Sequence, residues 1–270
     1  MLAFLNIVGR GMAGTKAEND VTDMDPEATA AKVKRHRETI VGIKTAHFPL
    51  PGWDALKRAV EAGRLSDTPV LVDNHVLTGS GRSTREKVVD ILRPGDIHTH
   101  LYNDRQLELL DRFTGRVQKY MHEARRRGVL FDLGHGGGSF LWPVAARAMQ
   151  DGFAQDTIST DLHPSSILIG VDMPNCISKL MALGMPLQDA IARSTVNPAR
   201  AIRKFPELGT LGEGKAADIA IFEVQKGVFA FTDSWEKKQL ATQKLKCALT
   251  VRAGEVVYDE NGMTAPLWSE

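Results

Sequence analysis

The chain has 270 residues, of which 43% are hydrophobic and 25% are charged, and this composition excludes wholesale disorder. Lys and Arg total 34 against 33 Asp and Glu, so the net charge of +1 gives no electrostatic reason to expect a nucleic-acid or membrane partner. No apolar run approaches the ~18 residues that a membrane-spanning helix needs. The two cysteines, Cys176 and Cys247, lie far apart, which fits a reducing compartment. We therefore expect a cytoplasmic protein that binds a small molecule.

Short apolar runs alternate with amphipathic segments over most of the chain. The runs have the composition of buried parallel strands and are Leu2–Val8, Val41–Ile43, Val70–Val72, Ile97–Thr99, Val129–Leu133 and Thr157–Thr160. The segments predicted as helices are Asp25–Arg37, Trp53–Ala62, Ser83–Leu92, Met121–Arg127 and Leu141–Gln150, followed by Asn175–Leu183 and Pro186–Phe205. This alternation predicts a parallel sheet with crossover helices, either an open doubly wound sheet or an incomplete (β/α)8 barrel.

From about Gly209 the alternation of apolar runs and amphipathic segments gives way to short apolar runs separated by turns. Turn residues there separate Ile219–Glu223, Thr250–Arg252 and Val256–Asp259, which we expect to be short antiparallel strands of a second, smaller module. No nucleotide-binding glycine motif follows the first apolar run, so a Rossmann or P-loop function has no support.

Polar residues cluster where the predicted strands end, which is where an α/β barrel builds its active site. In chain order they are Lys44, Asp73, His75, His100, Tyr102, Asn103, Asp132, His135, Asp161 and His163. A single histidine at such a position is more often a satisfied loop residue. A Zn²⁺ or acid–base site requires imidazoles and carboxylates that come together at one end of the barrel. The set as a whole therefore favours such a site.

Two positions in this set have alternative interpretations. His98 and His100 are two residues apart and share a strand face, but we expect His100 at the strand tip to be the ligand and His98 to pack lower in the barrel. Lys44 is unusual beside a metal because an ammonium repels a cation. It either reacts with CO₂ to give a carbamate that can ligate metal, or forms an ion pair with Asp73 or Asp161.

Six motifs together resemble the metal-dependent amidohydrolase superfamily, specifically its dihydroorotase-like amidohydrolase/deacetylase branch. Four lie in the strand–helix part, and two resemble the β-sandwich tail of that superfamily. They are V-G-I-K (Val41–Lys44), R-P-G-D-I-H-T-H-x-Y-N (Arg93–Asn103), F-D-L-G-H-G-G-G-S-F (Phe131–Phe140), S-T-D-L-H (Ser159–His163), G-T-L-x-x-G-K-x-A-D-I-A-I-F (Gly209–Phe222) and T-V-R-A-G-E-V-V-Y-D (Thr250–Asp259).

The resemblance implies a (β/α)8 barrel over residues 1–205 and a small C-terminal β-sandwich portion over residues 206–270. It implies one or two Zn²⁺ ions, or another divalent metal, bridged by a carboxylated Lys44. His100 matches a histidine ligand, and Asp161 matches the aspartate that takes a proton from the metal-activated water. The residues expected at substrate contacts are Tyr102, Asn103, His135 and His163.

The chain departs from the family pattern in two ways. The family's other ligand histidine aligns with Asp73, and His75 lies two residues further on, so either residue is a candidate ligand. The family also opens with a sandwich segment and a strand carrying an H-x-H metal pair, whereas Leu2–Val8 matches barrel strand three. We therefore expect an N-terminally incomplete barrel with six recognisable strands. Its exposed edge favours homo-oligomerisation.

The function expected from these residues is metal-dependent hydrolysis. The bond would be an amide or ester, N-acyl or O-acetyl, on a small carboxylated substrate, cleaved by metal-activated water. Two alternatives are a cyclic-amide hydrolase of the dihydroorotase or hydantoinase kind, and a truncated, non-catalytic amidohydrolase-like scaffold.

Overall fold

Five parallel strands form the larger sheet of the protein. The structure is a computed structural model that describes residues 1–73, 75–76, 79–103, 108–168, 170–205 and 207–268. The strands pair in chain order, each parallel to the next. They are β1 (Ala3–Asn6), β2 (Ile40–Ala46), β3 (Val70–Asp73), β4 (Ile97–His98) and β5 (Leu130–Phe131). Because all five run in the same direction, their carboxyl ends lie at one edge of the sheet.

Helices connect the strands and follow the last of them. They are α1 (Thr15–Glu18), α2 (Pro26–Arg35), α3 (Asp54–Ser66), α4 (Lys119–Arg126), α5 (Trp142–Gln150), α6 (Pro164–Leu168), α7 (Met173–Ala182), α8 (Leu187–Ser194) and α9 (Val196–Ala201). The sequence explains where they begin. In α2 the Asp25 side chain accepts hydrogen bonds from two amides of the first turn, and Pro26 follows it. In α7 the Asp172 side chain accepts one hydrogen bond, from the Asn175 amide.

Helix α3 illustrates how the helices bury one face against the sheet. Ala55, Leu56, Ala59 and Ala62 are fully buried and recur at helical spacing. The helix ends at Asp67, which adopts the left-handed conformation. Its small side chains allow the helix to lie close to β2 and β3, so this part of the sheet has a dense core.

Two predicted elements differ in the structure. Thr157–Thr160 was expected to be a strand, but it forms one parallel bridge, between Thr157 and Asp132. It still runs beside the chain that follows β5, since Ser159 and Thr160 accept backbone hydrogen bonds from His135 and Gly136. The segment predicted as the helix Ser83–Leu92 contains a π-helix over Glu86–Ile91, a wider winding that the apolar pattern does not reveal.

A separate antiparallel sheet forms the C-terminal part of the chain. Its strands are β6 (Ile219–Thr232), β7 (Lys238–Arg252) and β8 (Glu255–Asp259), in that spatial order. The predicted Ile219–Glu223 and Thr250–Arg252 pair with each other at one end of a long ribbon, whose strands have 14 and 15 residues. The rest of the ribbon was missed because polar residues on its exposed face interrupt the apolar pattern.

The tip of this ribbon docks on the chain that follows β5. Asp233 accepts a hydrogen bond from the Trp142 amide at 3.2 Å, and the Trp142 indole donates to the Lys237 carbonyl at 2.9 Å. Ser234 and Phe140 exchange two further hydrogen bonds. The division into residues 1–205 and 206–270 stays a prediction. Over the described ranges, no helix is long and apolar enough to cross a bilayer.

Asp96 joins β3 to the turn that precedes β4. Its carboxylate is fully buried and accepts hydrogen bonds from the Val70 amide at 2.9 Å and the Arg93 guanidinium at 2.7 Å.

We predict that Asp96→Ala lowers the free energy of unfolding by about 3–5 kcal/mol, because it leaves a cation and buried amides without their partner. Asp90→Ala removes an exposed ion pair with Arg85 and should cost less than ~1 kcal/mol in the same urea titration. Equal losses would contradict this account.

Candidate functional site

A pocket of about 340 Å³ lies at the carboxyl edge of the parallel sheet. Its walls bring together six of the residues predicted from sequence, Lys44, Asp73, His75, His100, Asp161 and His163. Met12, His47 and the turn residues Gly137, Gly138 and Ser139 complete the lining. Three other clefts are larger, at about 530, 540 and 460 Å³, but none of them is lined by Lys44, His100 or Asp161. The chemistry therefore selects the smaller pocket as the candidate site.

Three of the lining residues have strained backbones. His47, His100 and Asp161 have φ angles of 56°, 60° and 48°, in the left-handed region that residues other than glycine seldom adopt. Such strain costs of order 1–3 kcal/mol per residue and persists where the surrounding structure imposes it, often at functional sites. Here it turns side chains from strand ends into one pocket.

Asp73 is the centre of the charge network in the pocket. Its carboxylate is buried and lies 3.2 Å from His100 Nε2, 3.1 Å from His75 Nε2 and 3.5 Å from His47 Nε2. Burial alone would raise the pKa of Asp73, but hydrogen bonds from His100 and His75 and the charge of Lys44 hold it well below its usual range. For His100, burial is likewise outweighed by the bond and charge of Asp73, which raise its pKa.

Two of these imidazoles have a buried carboxylate near their second nitrogen. His47 Nδ1 bonds Glu18 at 2.9 Å, which orients the His47 ring towards Asp73. His75 Nδ1 lies 3.4 Å from Glu108 without a hydrogen bond, and Glu108 also pairs with the buried ammonium of Lys87. Burial would raise the pKa of Glu108, but Lys87 and His75 lower it strongly, so Glu108 is an anion at neutral pH.

Lys44 is half-buried on β2, at the wall of the pocket. It forms no ion pair with Asp73 or Asp161 within the part of the chain that the structure describes. The ion-pair interpretation of Lys44 is therefore not realised in this structure.

Asp161 is exposed to the pocket and lies against a glycine. A Cβ atom added at Gly136 would lie 2.5 Å from Asp161 Oδ2, so only glycine permits this close approach. Gly136 itself has a φ of 49°. The glycine-rich motif thus makes room for a carboxylate rather than for a phosphate.

Three predicted substrate contacts lie outside the pocket lining. Tyr102 is fully buried and donates to Gln155 Oε1 at 2.6 Å, and Asn103 is buried and donates to the His100 carbonyl. His135 is 2% exposed and stacks on Phe140 at 5.0 Å. Asn103 and His135 bond residues that do line the pocket, His100 and Ser139, whereas Tyr102 bonds Gln155, which does not. His98, expected lower in the barrel, is 3% exposed and packs edge-on against the Phe131 ring.

Sequence reasoning missed a buried lysine behind the pocket. Lys179, on α7, is 4% exposed and donates to His135 Nε2 at 2.8 Å. Burial lowers the pKa of Lys179 to about 8, and burial together with the Lys179 charge lowers the pKa of His135 to about 4. A signal was present, because Lys179 lies on the apolar face of α7 beside Cys176 and Leu180. His47 was also missed, although it follows Lys44 by three residues at a strand end.

The donor chemistry of the pocket fits a divalent metal ion. His100 Nδ1 lies 2.6 Å from the Gly134 carbonyl, the contact that orients metal-binding histidines, and its Nε2 contacts the Asp73 carboxylate. The described residues contain no group of three His, Cys, Asp or Glu side chains already arranged around one point. The imidazoles and the carboxylate contact one another instead. Binding of a metal ion would therefore replace these contacts between side chains by bonds from the same side chains to the metal.

Sequence comparison relates the chain to proteins named deacetylase. The one from Enterococcus faecalis is 30% identical over 262 residues, which are 96% of this chain and 70% of that protein. The chain belongs to the amidohydrolase family. The family model whose description is "Amidohydrolase family" matches residues 142–257 of the chain. A deacetylase from Brucella anthropi is 31% identical over 86% of this chain, and the matched region spans 58% of that protein's length.

Solved structures place the fold in the same family. An adenine deaminase superposes with a TM-score of 0.89 and 25% identity, over 96% of this chain and 71% of that one. A dihydroorotase superposes with a TM-score of 0.81 and 26% identity, over 96% of this chain and 69% of that one. The five-stranded parallel sheet is thus a partial amidohydrolase barrel, as predicted, and a small antiparallel sheet accompanies it.

Burial of His135, together with the charge of Lys179 beside it, makes the stability of this amidohydrolase pH-dependent. The pKa of His135 is about 4 in the folded chain against an ordinary 6.5, so between pH 6.5 and 4 the unfolded chain binds more protons. Stability contributed by this histidine is therefore present at pH 7 and lost as the pH falls, by on the order of 3 kcal/mol.

We predict that His135→Gln removes this part of the acid destabilisation. The amide oxygen can still accept from Lys179, and the amide group does not titrate. Urea unfolding at pH 7, 6, 5 and 4 should show the free energy of unfolding falling less steeply in the variant than in the wild type. Parallel pH dependences would contradict the assignment.

Proposed function

We propose that the chain is a metal-dependent hydrolase that cleaves an N-acyl amide or O-acetyl ester bond of a small carboxylated substrate. The observation that carries this proposal is that Lys44 on β2, His100 just after β4 and Asp161 just after the Thr157–Thr160 segment line one pocket. Support also comes from relatives named deacetylase at about 30% identity. A pocket of about 340 Å³ suits a small molecule.

The residues that would hold one or two Zn²⁺ ions, or another divalent metal, are Lys44, His100 and Asp161. Asp73 or His75 would supply a further donor. Lys44 would do so as a carbamate: its neutral amine adds to CO₂, an N–C bond forms and a proton is released, which converts a cation into an oxygen ligand. When bound, the metal supplies Lewis-acid polarisation of the scissile carbonyl and increases the acidity of water.

Asp161 is the group that moves the proton in this proposal. Its carboxylate takes a proton from water as the water oxygen attacks the acyl carbon, and returns that proton to the leaving nitrogen or oxygen as the C–N or C–O bond breaks. Gly136 leaves room for the carboxylate. His163, in the pocket lining, would contact substrate, whereas Asn103 and His135 would act through the lining residues His100 and Ser139 that they bond. Tyr102 is buried outside the lining.

A cyclic-amide hydrolase is the second candidate, because a dihydroorotase superposes on 96% of the chain. Parallel assays on N-acyl amino acids, O-acetyl hydroxy acids and cyclic imides distinguish the two activities. A non-catalytic scaffold would bind less than one metal per chain and show no hydrolysis that a chelator abolishes.

We predict that Asp161→Asn lowers kcat on the preferred acylated substrate by about 10²–10⁴-fold, because an amide cannot accept the proton. KM should change much less, and both proteins should be assayed after zinc loading, with metal content measured. Asp189→Asn is the matched control, since this exposed carboxylate in the first turn of α8 lies outside the pocket lining. Stoichiometric zinc with an unchanged kcat in Asp161→Asn would contradict the role given to Asp161.

A further inference from the structure

The turn over residues 136–139 presents hydrogen-bond donors at the wall of the candidate pocket. Gly137, Gly138 and Ser139 all line the pocket. The Gly137 and Gly138 amides donate to no acceptor in the part of the chain that the structure describes. Ser139 is 7% exposed, and its hydroxyl is not hydrogen-bonded to any of the described residues. A hydroxyl that lines a pocket and has no protein partner is available to a ligand.

The turn is held in place from behind. His135 Nδ1 donates to the Gly136 carbonyl at 2.7 Å, and its other nitrogen accepts from Lys179. The His135 ring is parallel to the Phe140 ring, with an interplanar angle of 9°. Phe140 is in turn bonded to Ser234 at the tip of the C-terminal ribbon. The donors are thus fixed before a ligand arrives, which lowers the entropic cost of binding.

The charge behind the turn favours an anion in front of it. The Lys179 ammonium is 4% exposed, and its hydrogen-bond partner is a neutral imidazole nitrogen. No carboxylate of the described residues lies within ion-pair distance of it, although buried ammonium groups usually have one. The two carboxylates in the pocket lining are Asp73, which contacts three imidazoles, and Asp161. A carboxylate bound at the turn would meet amide dipoles with a cation behind them.

We propose that the Gly136–Ser139 turn is the subsite for the substrate's carboxylate, bound by the Gly137 and Gly138 amides and the Ser139 hydroxyl. The ligand class is an acylated amino acid or hydroxy acid with a free carboxylate. This inference rests on the proposed function only in using the same pocket. Binding of the carboxylate can be measured whether or not the protein hydrolyses the ligand.

The test compares N-acetylglycine with its uncharged analogue N-acetylglycinamide on the ¹⁵N-labelled full chain. N-acetylglycine should shift the amide resonances of Gly137, Gly138 and Ser139 in a saturable way, and N-acetylglycinamide should bind about tenfold more weakly or not measurably. The proposal is overturned if, up to the solubility limit, no carboxylate-dependent shift occurs at these three amides. It is also overturned if the shifts are confined to Lys44, His47 and His163.

Two substitutions at Ser139 sharpen the test. Ser139→Ala removes one hydrogen-bond donor and should weaken the binding of N-acetylglycine about tenfold. Ser139→Asp adds a charge of the same sign as the ligand's carboxylate and should weaken this binding further. Neither should change the weak affinity for N-acetylglycinamide by a comparable factor. Ser194→Ala is the matched control, since that hydroxyl bonds the Ala190 carbonyl within α8. Unchanged affinity in both Ser139 variants, with native-like spectra, would overturn the subsite. Hydrolysis assayed separately on the same proteins tests the proposed function, so the two failures are distinguishable.

Discussion

In-register pairing of the five parallel strands is the constraint on which the candidate site depends. Lys44 on β2 pairs with Leu71 on β3, and β3 pairs with β4 two residues before His100. A slip of one residue would turn each of these side chains to the opposite face of the sheet. Asp96 stabilises this register, because its buried carboxylate holds the start of β3 against the turn before β4.

Buried charges then give the pocket its chemistry. Asp73 alone would be costly to bury as an anion, and the imidazoles of His75 and His100 compensate for that cost. These contacts join residues that we propose as metal ligands. The same side chains can therefore either hydrogen-bond one another or coordinate a metal ion. Behind the pocket, Lys179 is a cation whose bonded partner is a neutral ring. This buried cation behind the Gly136–Ser139 turn agrees with the carboxylated substrate that the sequence resemblance implies.

Most of the fold and half of the site follow from local sequence patterns. Apolar runs predict β1–β5, and the residues at the strand ends predict Lys44 and His100. Side-chain direction beyond a strand end could not be predicted, because it depends on single backbone angles such as the φ of 60° at His100. Lys179 could not be matched to His135 either, because 44 residues separate them and only tertiary packing brings them together. The long β6–β7 ribbon was missed because its exposed face is polar.

The central claim is that strand-end residues of this amidohydrolase form a metal-holding pocket in which Lys44 is carboxylated. The most direct measurement is an anomalous-difference map collected at the zinc edge from crystals of the chain grown with zinc and bicarbonate. We expect a peak in the pocket adjoining His100 and Asp161, and density for a carbamate continuous with Lys44 Nζ. An unmodified Lys44 and a pocket without an anomalous peak, in a crystal that binds zinc elsewhere on the protein, would contradict the account.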